Sequence, residues 1–127
     1  MPLECLVQSE SELLAGLKEL AADVGADGVA EIVELFLDDS VELLRALRSA
    51  SERGDAGGIM RAAHALKSTA ATLGAADLSG LCLEMERLSR EGLVREAIPH
   101  LPRVEAEYRH VRVLLERLRG QVETADS

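Results

Sequence analysis

Aromatic side chains are nearly absent from this chain of 127 residues, which has one Phe, one Tyr and no Trp. Ligand pockets are ordinarily walled by apolar and aromatic side chains, so the composition argues against an enzyme with a large substrate pocket. The two cysteines, Cys5 and Cys82, are too few and too far apart for a disulfide framework or a zinc site. We interpret Cys82 as a small apolar core residue and Cys5 as incidental. His100 and His110 lack the spacing of a helical metal pair, so we expect no metal site.

Long apolar runs and an excess of positive charge are also missing. Every apolar run is short and interrupted by charge, so no transmembrane helix is predicted. The first residues lack a basic segment followed by an apolar one, which predicts no secretory signal and a cytoplasmic protein. With 23 acidic and 14 basic side chains, the net charge of −9 disfavours nucleic acid and anionic membranes as partners. We expect a protein that meets other proteins through a local patch.

Amphipathic helical patterns fill the chain, and glycines separate them. Ser9 and Glu12 have the spacing of a capping box, which predicts a helix over residues 10–24 that stops at Gly25. A longer helix is predicted from about Asp27 to Arg53. Its expected core stripe is Ile32, Leu35, Phe36, Val41, Leu44 and Leu47.

Three further helices are predicted over residues 55–73, 76–90 and 93–118. Asp55 is the expected N-cap of the first, and Gly74 the expected residue at its C-terminal end. Pro99 and Pro102 predict a kink or short break in the last, with Pro102 opening its longer part. Residues 121–127 are predicted to form a frayed polar tail.

Helices of this length with short connections favour an all-α fold, an antiparallel up-down four-helix bundle with a short extra N-terminal helix. No alternating run of strand length competes with this interpretation. We predict a single domain over residues 1–127, with the bundle core at about 27–119.

The predicted helix over residues 55–73 has two distinct faces. One face is apolar apart from a single threonine, and it carries Ile59, Ala62, Leu66, Thr69 and Leu73. The opposite face carries His64, with Lys67 at i+3 and Ser68 at i+4. Near neutral pH an exposed imidazole is mostly uncharged, and its free nitrogen is a nucleophile that small neighbours leave open to a phosphoryl group. This pattern points to phosphotransfer.

The chain resembles the histidine-containing phosphotransfer (HPt) family over roughly residues 13–118. The matching stretches are Ala63-His64-x-Leu66-Lys67-Ser68 with Leu73-Gly74-Ala75, Leu78-x-x-Leu81-Cys82-x-x-Met85-Glu86, and Phe36-Leu37 with the Gly54-Asp55 turn. Ser68 replaces the glycine that many members carry, but a serine is small enough to leave the imidazole accessible.

The resemblance implies a carrier that receives a phosphoryl group on histidine from one aspartate and passes it to another. The implied partners are the receiver domains of a hybrid sensor kinase and of a response regulator. Members of the family have no kinase activity of their own. They also need no cofactor of their own, because the magnesium ion is bound by the receiver domain. Within this pattern His64 is the phosphoacceptor, Lys67 neutralises phosphoryl charge, and Ser68 can donate a hydrogen bond. The residues expected to contact the partner are Met60, Arg61, Ala71 and Gly74.

Two other classes of protein are compatible with a helical bundle. The first is a non-catalytic interaction module whose histidine takes no phosphoryl group; intact His64 and Lys67 argue against it. The second is the dimerisation segment of a histidine kinase, which needs an ATP-binding domain, and this chain has no glycine-rich nucleotide motif. A bundle of this size can be a monomer, and we expect one.

Overall fold

The structure, a computed structural model, describes residues 8–126, with side chains through Leu118, so Cys5 lies outside the described residues. This part of the chain is helical and contains no strand. Its elements are α1 (Glu10–Arg53), α2 (Ala56–Thr72), α3 (Ala76–Arg90), α4 (Val94–Ala97), a 3-10 turn (Ile98–His100) and α5 (Leu101–Asp126). No helix among the described residues has the length and apolar character needed to cross a membrane.

Helix α1 consists of two helical parts that meet at Gly25. This glycine has φ 80° and ψ 165°, a conformation that interrupts the helix and that side chains other than glycine rarely adopt. The Ser9 side chain accepts a hydrogen bond from the Glu12 backbone N–H, as the capping pattern predicts. The break at Gly25 and the end of α1 at Arg53 are confirmed.

The four long helices form a ring in which each packs against two neighbours. Helix α2 contacts α1 and α3, and α5 contacts the same two helices from the other side. The pairs Arg48–Glu105 and Ser40–Tyr108 show that α1 and α5 run antiparallel, since the residue number rises along one helix as it falls along the other. The predicted four-helix bundle with an extra N-terminal helix is confirmed.

The core stripe of α1 differs from the prediction at Leu35, whose exposure is 60%. The buried line instead includes Val33, Phe36 and Ser40 before it reaches Leu47. Ser40 can occupy a core position because its hydroxyl donates to the Tyr108 hydroxyl at 2.9 Å. Leu35 and Phe36 differ by about 100° around the helix, and Phe36 takes the core-facing position.

Helix α5 begins at Leu101, with Pro102 in its first turn, where a missing N–H costs no helical hydrogen bond. Its far end departs from the prediction, because the helix continues to Asp126 instead of ending near Leu118. The predicted polar tail over residues 121–127 is therefore helical as far as Asp126. No proline interrupts this segment, and a single glycine, Gly120, costs a helix only about 1 kcal/mol relative to alanine.

The segment that leads into α1 is bound to α5 and α3 through Gln8, which is buried. Its backbone N–H donates to the Glu107 carboxylate at 2.9 Å, and its carbonyl accepts from His110 Nε2 at 2.9 Å. The Gln8 side-chain oxygen accepts from the Asp77 backbone N–H at 3.3 Å, in the first turn of α3. His110 thus has a defined structural partner, the Gln8 carbonyl.

The connection between α2 and α3 packs directly against the N-terminal part of α1. Gly74 has φ 80°, and a Cβ built on it would lie 3.3 Å from the Gly16 Cα. Gly16 has no room for a larger side chain either, since a Cβ built on it would lie 3.3 Å from the Gly74 Cα and 3.4 Å from the Leu73 carbonyl oxygen. Two glycines therefore allow two backbone segments to approach within van der Waals contact.

Candidate functional site

Helix α2 presents the predicted histidine to solvent. Asp55 caps the helix by accepting from the Gly58 backbone N–H at 3.1 Å, which fixes its start and hence the faces of its residues. Ile59 and Leu66 are fully buried, whereas the His64 side chain is 59% exposed. The division into an apolar face and a histidine face agrees with the sequence pattern.

The His64 imidazole is hydrogen-bonded to a carboxylate on the neighbouring helix. Its Nδ1 lies 2.7 Å from Oε2 of Glu86 in α3, while the Glu86 side chain is only 2% exposed. The two other donors to this carboxylate are Lys67 Nζ, 2.7 Å from Oε1, and Arg90 Nη2, 2.7 Å from Oε2. One buried carboxylate thus joins His64 to two cations.

These contacts determine the charge of Glu86 and the tautomer of His64. Burial raises the pKa of Glu86, but hydrogen bonds from Lys67 and His64 outweigh it and leave the pKa below its ordinary value. The carboxylate is therefore ionised at neutral pH and can only accept, so Nδ1 of His64 carries the hydrogen. In the neutral ring the lone pair is then on Nε2, the nitrogen that the bond to Glu86 leaves free.

Lys67 and Arg90 supply positive charge beside the ring, but they differ in exposure. The Lys67 side chain is 24% exposed and the Arg90 side chain 61%. Cys82, one turn before Glu86, is fully buried, which confirms its predicted core position. Burial raises the pKa of the Cys82 thiol to about 12, with a further contribution from the Glu86 carboxylate, so this thiol stays neutral.

The other predicted site residues fall into two groups. Ser68, Arg61 and Ala71 are exposed on α2, and Met60 is half-buried there, so all four lie on the helix that carries His64. Gly74 lies beyond the end of α2, half-buried against Gly16. Of the three predicted catalytic residues, His64 and Lys67 are joined, because both hydrogen-bond to the Glu86 carboxylate.

Glu86 and Arg90 were not among the site residues predicted from the sequence. A signal for Glu86 was present, because it follows Leu78 and Cys82 at intervals of four residues on the core-facing side of α3. A carboxylate on a buried face needs charged or hydrogen-bonding partners. Arg90, four residues on, is one such partner.

An open groove of about 440 Å³ runs between the C-terminal part of α1 and the first turns of α2. Leu43 and Ala46 line it from α1, and Arg61, one turn before His64, lines it from α2. No cluster of three or more potential metal-ligating side chains occurs among the residues that the structure describes.

Helical bundle and histidine site together define a phosphotransfer domain, and comparison with protein families agrees. The family model of the Hpt domain matches residues 31–123, and the chain belongs to this family. The resemblance found in the sequence is thereby confirmed.

Similarity to known proteins supports the assignment of this chain to the family. The chain is 32% identical over 76 residues to the phosphorelay protein LuxU of Vibrio vulnificus strains YJ016 and CMCP6. That match covers 60% of this chain and 66% of the relative, just under two thirds of its length. The crystal structure of histidine-containing phosphotransfer protein B (HptB) from Pseudomonas aeruginosa PAO1 is similar with a TM-score of 0.72 and 32% identity. That likeness covers 86% of this chain and 91% of HptB.

Proposed function

We propose that this protein relays a phosphoryl group between aspartates of receiver domains in a multistep two-component pathway, through phospho-His64. The single observation that carries the proposal is the state of the imidazole. The ionised Glu86 carboxylate holds Nδ1–H at 2.7 Å, which leaves the Nε2 lone pair available on a side chain that is 59% exposed. A nucleophile oriented by a buried carboxylate is the arrangement that phosphoryl uptake requires.

In the uptake step the Nε2 lone pair attacks the phosphorus of a receiver's aspartyl phosphate. The N–P bond forms as the acyl P–O bond breaks, and the electron pair of that bond goes to the receiver's carboxylate. Phosphoryl transfer depends on positioning and charge neutralisation more than on covalent participation by side chains. Lys67 and Arg90 provide the charge beside the ring. Ser68 leaves space for the incoming group and can donate a hydrogen bond to it.

The partner would then be the receiver domain of a hybrid sensor kinase on one side and of a response regulator on the other. Met60, Arg61, Ala71 and Gly74 are the proposed partner contacts, and the groove between α1 and α2 extends that surface from Arg61. The protein would act as a cytoplasmic, monomeric carrier without kinase activity. It would need no cofactor, because the magnesium ion that assists the transfer is bound by the receiver.

Transfer from a radiolabelled, phosphorylated receiver tests this proposal, with the wild type compared with His64→Gln and with a matched control, His100→Gln. We expect label on the wild type and the control only, and the bond should be acid-labile and alkali-stable, as a phosphohistidine is. The fold should survive in His64→Gln, since Glu86 keeps Lys67 and Arg90 as donors and the loss of one hydrogen bond costs about 1 kcal/mol.

Equal labelling of wild type and His64→Gln would exclude His64 as the acceptor. A lack of label from every receiver that is competent with another carrier would favour the non-catalytic interaction module instead.

A further inference from the structure

The N-terminal part of α1 is a separate helical element with its own contacts to the other helices. We call residues 8–24 the N-terminal strap, because Gly25, with its φ of 80°, interrupts α1 directly after it. The Leu17 side chain of the strap is fully buried, and Gly16 packs against Gly74 in the turn between α2 and α3. The strap lies ahead of the residues that match the Hpt family model.

Gln8 attaches the strap to two other helices. Its backbone N–H donates to the Glu107 carboxylate of α5 at 2.9 Å, and its carbonyl accepts from His110 Nε2 at 2.9 Å. Its side-chain oxygen accepts from the Asp77 backbone N–H of α3 at 3.3 Å. The N-cap residue of α3 makes no side-chain capping bond, so Gln8 satisfies one of the N–H groups that a helix leaves without a partner at its start. Loss of the Gln8 contacts would therefore detach the strap and uncap α3.

The acceptor of the Gln8 N–H is a carboxyl group that is only 5% exposed. Burial raises the pKa of Glu107, and its effect is larger than that of the Gln8 N–H and of His110, which lower the pKa. Among the described residues, the charged groups that face Glu107 are His110 of α5 and Asp77 of α3, and the Asp77 carboxylate raises the pKa further. An ionised Glu107 is thus enclosed with one carboxylate and one imidazole.

We propose that the N-terminal strap is a pH-sensitive element, which Gln8 holds against α3 and α5 while Glu107 is protonated and which detaches more readily once Glu107 is ionised. A protonated Glu107 is neutral, and its second oxygen still accepts from the Gln8 N–H. Ionisation places a negative charge in an enclosed site beside Asp77, and this cost is relieved when Gln8 detaches and water reaches the carboxylate.

The direction of the pH effect follows from proton binding. The attached strap raises the pKa of Glu107, so the attached form binds more protons than the detached form, and rising pH favours detachment. Imidazole groups lose their positive charge between about pH 5 and pH 8, so His110 changes the balance in the same direction. Because the strap also packs against the turn between α2 and α3, proton binding on α5 would influence how firmly that turn is held. None of these steps depends on the proposed relay.

Amide hydrogen exchange, followed by NMR between about pH 5 and pH 8, tests the proposal. The amides of Gln8 and Asp77 report attachment, since each donates one of the hydrogen bonds that hold the strap. Their protection factors, corrected for the intrinsic pH dependence of exchange, should fall by about fivefold as pH rises, which corresponds to the loss of one hydrogen bond. The Gly58 amide is the internal reference. Its acceptor Asp55 stays ionised, because the bond from Gly58 lowers the Asp55 pKa, so its protection should not change.

The substitution Glu107→Gln removes the titrating group but keeps an oxygen that accepts from the Gln8 N–H. In this variant most of the fall in protection at Gln8 and Asp77 should disappear. The matched control is Glu116→Gln, which removes an exposed α5 carboxylate that pairs with Arg112 and should leave the wild-type profile unchanged. Circular dichroism verifies that each variant is folded.

Three results would overturn the proposal. The first is protection at Gln8 and Asp77 that does not change with pH in the wild type. The second is the same fall in wild type and in Glu107→Gln. The third is an equal fall at Gly58, because the whole molecule rather than the strap would then be loosening. If Glu107→Gln does not fold, the comparison of the strap amides with Gly58 in the wild type still decides.

Discussion

Replacing Gly74 by alanine tests the close approach between the α2–α3 connection and the N-terminal part of α1. An alanine at φ 80° is strained by about 1–2 kcal/mol, because a Cβ in the left-handed region crowds the adjoining backbone. Its Cβ would also lie 3.3 Å from the Gly16 Cα, where the neighbour is backbone and cannot rotate away. Overpacking of this kind costs about 1–3 kcal/mol.

Gly92→Ala is the matched control, because Gly92 has the same φ of 80° and its Cβ would meet nothing within 4 Å. The two variants share the backbone strain and the loss of unfolded-state entropy, so both effects cancel in the difference between them. We expect Gly74→Ala to lower the free energy of unfolding by about 2–5 kcal/mol, and Gly92→Ala by only about 1–2 kcal/mol. In a chain of this size each kcal/mol corresponds to roughly 4 °C in Tm.

Urea denaturation followed by far-UV circular dichroism measures both changes. Equal destabilisation by the two substitutions would refute the packing argument, because the contact with Gly16 would then carry no energy. Phosphoryl uptake by folded Gly74→Ala adds a second readout. Normal uptake would assign Gly74 to packing alone, whereas lost uptake in a folded variant would support the predicted contact with the partner.

Two further predictions concern charged side chains. Lys67→Ala should lower the free energy of unfolding by about 1 kcal/mol, since Glu86 keeps two other donors, and it should slow phosphoryl transfer or shorten the phosphohistidine lifetime. With Lys18→Ala as the control for an exposed lysine, unchanged transfer rates and lifetime would remove Lys67 from the site. Burial raises the pKa of Glu107 in the folded protein. At pH values between the ordinary pKa and the raised pKa, the folded protein therefore binds more protons than the unfolded chain. The contribution of Glu107 to stability falls as the pH rises through that window. Glu107→Gln, which can still accept from the Gln8 N–H, should flatten this dependence in urea midpoints between about pH 4 and pH 8; an unchanged slope would contradict it.

Helix boundaries were predicted well where a single residue determines the boundary. Gly25, Gly54 and Gly92 each adopt a positive φ at a helix boundary, and Asp55 caps the helix that follows it. Such local signals do not depend on what the helix packs against. The end of α5 has no comparable signal, which is why composition alone misplaced it.

Predictions that required knowledge of a neighbouring helix were weaker. Leu35 was wrongly placed in the core, and Ser40 was not predicted there because its partner, the Tyr108 hydroxyl, lies on another helix, α5. Glu86 was missed for the same reason, since its donors His64 and Lys67 belong to another helix. The identity of the nucleophile could be predicted from local sequence, whereas its tautomer depends on a contact between helices.

In the described part of the chain, the groups that hydrogen-bond to the Glu86 carboxylate belong to two consecutive helices, α2 and α3, joined by the short turn at residues 73–75. In such an αα-hairpin the contacting residues are close together in sequence. Only a short loop has to close, so these contacts can form early in folding. Insertions in the connection between α3 and α5, or chain termini moved there by circular permutation, would leave the hairpin uninterrupted. The hydrogen bonds around His64 are therefore expected to tolerate changes in the length of the connection between α3 and α5.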